Sequence, residues 1–100
     1  MRELHNAARG EVLLDIDGRA TRLCLTLGAL AELEAAFDVV SLAELAERLT
    51  HLTAADLIVV VAALTKGGDE TLEATRLMSA RIDPKAAARA VADAFRLALE

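Results

Sequence analysis

One hundred residues bound the chain to a single domain, because a second one would be too small to enclose a core. Its apolar share is 55%, drawn from Ala, Leu and Val with only Phe37 and Phe95 aromatic, which argues against disorder and leaves little for base stacking. Sixteen acids against 11 bases give a net charge of −5, which disfavours nucleic acid as the main partner.

Residues 1–9 carry no periodicity and read as a loose N-terminal arm, leaving 10–100 as the domain. From Gly10 the period is two: Val12, Leu14 and Ile16 alternate with Glu11, Leu13 and Asp15. Asp17-Gly18 follows, a dipeptide suited to a tight turn, and Arg19 to Leu25 reads as the return strand. With Asp17 and Gly18 as the two turn residues, Val12 faces Leu23, Leu14 faces Thr21 and Ile16 faces Arg19. Arg22 then lies diagonal to Glu11 and Asp15, within reach of weak pairing, whereas a longer turn would shift this register.

At Thr26 the period becomes helical. Thr26 is placed to cap a helix with the stripe Leu27, Leu30, Leu33 and Phe37, interrupted by Asp38-Val39-Val40. Ser41 caps the next helix, and Glu44 three residues on predicts a capping box. Leu42, Leu45, Ala46 and Leu49 form its apolar stripe, with Glu44, Glu47 and Arg48 on the wet side. Thr53 opens a third helix with Asp56 in its first turn, Lys66 in its last and Gly67-Gly68 as the stop. Between them, Leu57 to Leu64 is apolar on every side of a helical cylinder. Such a helix is enclosed by its own domain or covered by a partner. The consecutive valines also suit a buried strand, but the caps and the length favour helix. Asp69 to Ala80 is predicted as a weakly patterned fourth helix through Ala74, Leu77 and Met78. Asp83 and Pro84 open the last helix, with Ala88, Val91, Phe95 and Leu99 on one face and Lys85, Arg89, Asp93 and Arg96 on a wet side. The expected fold is α+β and mainly helical: an N-terminal hairpin, then about five short helices. Leu30, Leu33, Leu45, Leu49, Phe95 and Leu99 are its expected core.

No enzymatic constellation emerges. Glu32 with Glu34, and Asp15 with Asp17, lack a His or Lys in a recognisable arrangement, and positions two apart on a helix diverge. His5 and His51 have no second ligand at metal spacing, and Gly67-Gly68 lacks the Lys-Ser/Thr of a phosphate loop. Cys24 alternates with Leu23 and Leu25 as a small buried hydrophobe; being alone, it fits a reducing cytoplasm. Met1 to Arg9 is mostly polar, unlike a signal peptide, and the longest apolar run is Leu57 to Leu64, far short of the roughly 20 residues of a membrane span. The expectation is a soluble, cytoplasmic, non-enzymatic protein with no cofactor, no metal, no nucleic acid and no membrane partner. A helix-turn-helix over 41–66 is disfavoured because its second helix carries one base and eight consecutive apolar residues. What remains is interaction surface. Leu57, Ile58, Val59, Val60, Val61 and Leu64 are the candidate partner-binding residues, rimmed by Glu44, Glu47 and Asp56.

The stretches Arg9-Gly10-Glu11-Val12, Ile16-Asp17-Gly18, Leu25-Thr26-Leu27-Gly28-Ala29-Leu30-Ala31-Glu32-Leu33-Glu34 and Ser41-Leu42-Ala43-Glu44-Leu45-Ala46-Glu47-Arg48-Leu49 resemble the small tail protein of gene transfer agents. These are domesticated phage-like particles of α-proteobacteria. That family is similar in class to phage tail assembly chaperones and is sometimes labelled a tail tube protein. The resemblance implies a chaperone that coats the apolar tape measure protein until tube subunits displace it. It also implies contacts with other tail proteins and homo-oligomers. Its alternative implication is a tube or adaptor component retained in the particle.

Overall fold

The computed structural model describes residues 10–99; the expected arm 1–9, with His5, and Glu100 lie outside the described residues. Two antiparallel strands, β1 (Glu11–Ile16) and β2 (Arg19–Cys24), precede α1 (Leu27–Ala36), α2 (Leu42–Leu49), α3 (Ala54–Gly67), α4 (Ala74–Leu77) and α5 (Pro84–Leu99). The α+β expectation therefore holds, and so does the register: Val12 pairs with Leu23, Leu14 with Thr21 and Ile16 with Arg19. Asp17 and Gly18 take φ of 55° and 81°, the two positive values that a twist-matched two-residue turn requires.

Helix α3 is the centre. Residues Val60 to Thr65 are all buried, because β2, α1, α4 and α5 pack around this segment. The run that is apolar on all sides is thus enclosed by its own domain along its C-terminal half. It ends against β2, where the Gly67 and Gly68 backbones press on the Cys24 and Arg22 carbonyls; a Cβ at either position would collide with those oxygens. The glycines therefore do more than stop a helix. They let its end reach the strand.

Several elements depart from the sequence expectation. Leu27 is 84% exposed, since α1 faces the core through Ala29 and Leu33, and Leu27 sits roughly 160° around the helix from Ala29. At Ser41 the Glu44 N–H donates to the Ser41 hydroxyl, while the full capping box is one helix later, where Thr53 and Asp56 bond each other's backbone N–H. The fourth helix shrinks to Ala74–Leu77. Asp69 adopts a φ of 64°, the Thr65 hydroxyl accepts the Leu72 N–H, and the Glu70 carboxylate turns back to Arg22, so the backbone before Ala74 is drawn out of a helical path. Arg22 accordingly pairs with Glu70 rather than across the hairpin to Asp15. Of the expected core, Leu33 and Leu45 are fully buried and Leu30, Leu49 and Phe95 half-buried, but Leu99 is 55% exposed. Helix α5 buries Ala87, Ala90, Val91 and Ala94 instead, because small side chains let it lie close to the hairpin and α3.

Candidate functional site

The expected partner-binding segment divides between core and surface. Val60, Val61 and Leu64 are at most 2% exposed and are enclosed by the monomer itself. Leu57 and Ile58 are half-buried in a hollow of about 200 Å³ that also includes Met78 and Ile82. Val59 lines a smaller hollow beside Glu32 and Lys66, which are joined at 3.0 Å. The anticipated rim also divides. Asp56 is occupied within the fold, while Glu44 and Glu47 stand exposed on α2.

The larger apolar feature lies elsewhere. Residues of α2 and α5, with Leu52, line a groove of about 480 Å³. One wall is Leu42, Leu45, Ala46 and Leu49; the other is Ala88, Val91, Ala92, Phe95 and Leu99. Among the described residues, no charged side chain lines it. These are the apolar stripes that periodicity identifies on the two helices, and within them only Leu45 and Val91 are buried. Leu42 remains 44% exposed and Ala46, Ala88 and Ala92 are open to solvent. Sequence periodicity found the residues and misjudged their setting: it marks which face is apolar, not whether the domain has enough bulk to cover it.

A polar brace joins α2 to its neighbours. Arg48 Nη1 donates to Asp56 Oδ2 at 2.6 Å and to the His51 carbonyl at 3.2 Å, and its guanidinium lies 4.9 Å from the Phe37 ring centroid. That arrangement ties α2 to the start of α3 and the end of α1. The Arg48 hydrogen bond, then the Thr53 N–H, hold the Asp56 carboxyl below the usual carboxylate range.

A second hollow, of about 510 Å³, sits beside the hairpin turn and is charged. Its charges are mutually engaged: Asp17 with Arg76 at 3.0 Å, and Glu70 with both Arg19 and Arg22. Among the described residues no cluster of three His, Cys, Asp or Glu side chains could hold a metal ion, and no helix is long and apolar enough to cross a membrane. A third hollow, of about 450 Å³ between β1 and α5, is also lined by charged residues, among them Glu11, Asp15, Arg89 and Asp93, so the α2–α5 groove is the apolar one of the three.

Comparison with known proteins agrees with a role in a particle tail. The family model described as phage tail tube protein, GTA-gp10, matches residues 9–100. No curated protein and no solved structure matches the chain.

Proposed function

The chain belongs to this family of phage and gene-transfer-agent tail proteins, and from that premise we propose that it is a non-enzymatic tail assembly chaperone that shields an apolar helix of the tape measure protein. The observation that carries the proposal is the uncharged groove between α2 and α5. An apolar trough between two helices is the shape that accepts a third amphipathic helix. The surrounding molecule carries a net charge of −5, which keeps a complex with an apolar chain dissolved. Its α2 wall is only eight residues long, about 12 Å, so the contact is limited in area and easily reversed, as a chaperone that must be displaced requires.

A second reading is favoured by the family description itself, which names the tail tube. Under it the chain is a tube or adaptor subunit retained in the particle. Strand-paired rings need accessible sheet edges, whereas here the hairpin has two six-residue strands and the outer edge of β2 is closed by Gly67, Gly68 and the Glu70 carboxylate on the Arg22 N–H. That supports the chaperone over the tube. Two measurements separate them. Co-expression with the tape measure protein should raise the latter's soluble yield and co-purify the two, an effect lost in an Ala92→Glu variant. Mass spectrometry of purified particles should find the chain absent; abundance in mature tails would instead establish the tube reading.

A further inference from the structure

We infer that the edge of β1 docks an extended segment of another protein, one that sets a base beside Asp15 and an acid beside Arg89. The register of the hairpin decides which backbone groups are available. On β2 the Arg22 N–H donates to Glu70, and the Arg22 and Cys24 carbonyls face Gly68 and Gly67, so these residues aim their backbone groups away from β1. Arg22 pairs with Leu13 and Ala20 with Asp15, and in an antiparallel ladder such pairs point outward on both strands. The N–H and C=O of Leu13 and Asp15 therefore face away from β2, and among the described residues they meet no backbone partner there. At the turn the same edge is taken: the Asp17 N–H donates to the Arg81 carbonyl at 3.0 Å. Beyond Arg81 the chain enters α5 and leaves Leu13 to Asp15 open.

A strand added at this edge has a trough to lie in. Five consecutive β1 residues, Glu11 to Asp15, wall the 450 Å³ hollow on one side, and α5 walls it on the other through Ala90, Asp93 and Leu97. Consecutive residues line one hollow along a strand's edge, because alternate side chains leave on opposite faces. An exposed sheet edge is where an extended peptide gains main-chain hydrogen bonds, and its alternate side chains give specificity. Charge specifies the occupant. Asp15 and Arg89 both line the hollow, both are exposed, and among the described residues neither is in an ion pair, whereas Asp93 meets Arg96 at 3.6 Å. Leu14 and Ile16 share the core with Ala87, Ala90 and Ala94 of α5, so Asp15 stands on the other face of the strand. In the added strand, the residue opposite Asp15 shares that outer face, and its neighbour points towards α5 and Arg89. Adjacent base and acid match both. With the outer edge of β2 closed at Arg22 and Cys24, each molecule takes up one strand and no strand-paired ring propagates. This site is separate from the α2–α5 groove and does not depend on what fills it.

The probe is a blocked octapeptide of Thr and Val with one central Lys-Glu pair, titrated to about 1 mM into the full chain while amide exchange is followed. The Leu13 and Asp15 amides should exchange rapidly in the free chain and slow by at least about tenfold at saturation. Methylating alternate backbone nitrogens of the peptide should abolish binding in one phase and spare it in the other, since only one of its edges faces β1. Arg89→Glu and Asp15→Lys should each weaken binding several-fold. A Lys-Lys peptide should restore the first, and a Glu-Glu peptide the second, to within about twofold of the parent pair. Absence of binding, equal losses in both methylation phases, or charge reversals that neither peptide restores would each overturn the proposal. So would slow exchange of both amides in the free chain, which would mean that the chain itself or a second copy already covers the edge. The methylated peptides need no change in the protein, so they decide even where a charge variant fails to fold.

Discussion

At Thr65, fully buried inside α3, the hydroxyl donates to the Ala62 carbonyl at 2.7 Å and accepts the Leu72 N–H at 3.0 Å. One side chain thus ties the backbone after α3 to the helix and keeps it from continuing as a helix. Thr65→Val preserves shape but leaves the Leu72 N–H without its acceptor, and should cost about 1–3 kcal/mol in a urea melt. Two residues on, the constraint is space. A methyl group at Gly67 would overlap the Cys24 carbonyl of β2, backbone against backbone, so neither partner can rotate away. Gly67→Ala should therefore destabilise more than Thr65→Val does, even though alanine is the better helix former. Equal melts for the alanine variant and the parent would mean that α3 and β2 are further apart than described. Neither role was legible in the sequence. A threonine in an apolar run and a glycine after a lysine look like a tolerated polar residue and a helix stop, and the contacts that give them their roles join positions 7 and 43 apart.

Among the elements, the hairpin was the most legible, because its register follows from one local turn. Gly18 has a φ of 81° and open space where a Cβ would stand, so a substitution there costs backbone strain alone. Gly18→Val should lose about 1–2 kcal/mol, and Gly18→Asn distinctly less, since asparagine tolerates the left-handed region. Similar losses for both would show that the side chain, not φ, matters. Helix caps at Thr26, Ser41 and Thr53 were equally legible, being signals within four residues. Facing was less so. The periodicity of α5 ranks Phe95 and Leu99 as core, yet close packing selects Ala87, Ala90 and Ala94, which the pattern barely distinguishes from exposed alanines. The contrast gives a paired test: Leu45→Ala, from a fully buried position, should cost about 2–5 kcal/mol, whereas Leu99→Ala should cost well under half of that. The candidate site shared this fate. The apolar stripes of α2 and α5 were visible in the sequence, but the most apolar segment, in α3, drew attention because hydrophobicity measures the tendency to be buried, not by what.

For the molecule as a whole, three carboxylates join segments that the sequence holds apart. Asp17, in the hairpin turn, accepts the Arg81 N–H at 2.7 Å and pairs with Arg76, anchoring the turn to the connection between α4 and α5. Glu70 accepts the Arg22 N–H at 2.9 Å on the outer edge of β2. Asp56 binds Arg48 and so links α2 to α3. In each case hydrogen bonds to the ionised form hold the carboxyl below its ordinary pKa: first the Arg81 N–H and then Arg76 for Asp17, the Arg22 N–H for Glu70, the Arg48 side chain for Asp56. Between the folded and unfolded pKa values the unfolded chain binds more protons than the folded one, so stability rises with pH there. The stabilisation is complete above the unfolded values, roughly 3.9 for Asp and 4.3 for Glu, and is lost as pH falls through the lower folded ones. The urea midpoint should thus be level from pH 7 to about 5 and then decline steeply towards pH 3. Asp17→Asn retains an oxygen that can accept the Arg81 N–H but cannot titrate, and Glu70→Gln does the same for Arg22. Each should lower the midpoint at pH 7 and flatten the acid decline, and the two together should flatten it more than either. Because these bonds close contacts between distant segments rather than within a helix, the acid decline should appear at the same pH whether followed by far-ultraviolet dichroism or by hydrogen exchange of the β2 amides. A decline of undiminished steepness in the double variant would assign acid sensitivity to other carboxylates and reduce Asp17 and Glu70 to surface pairs.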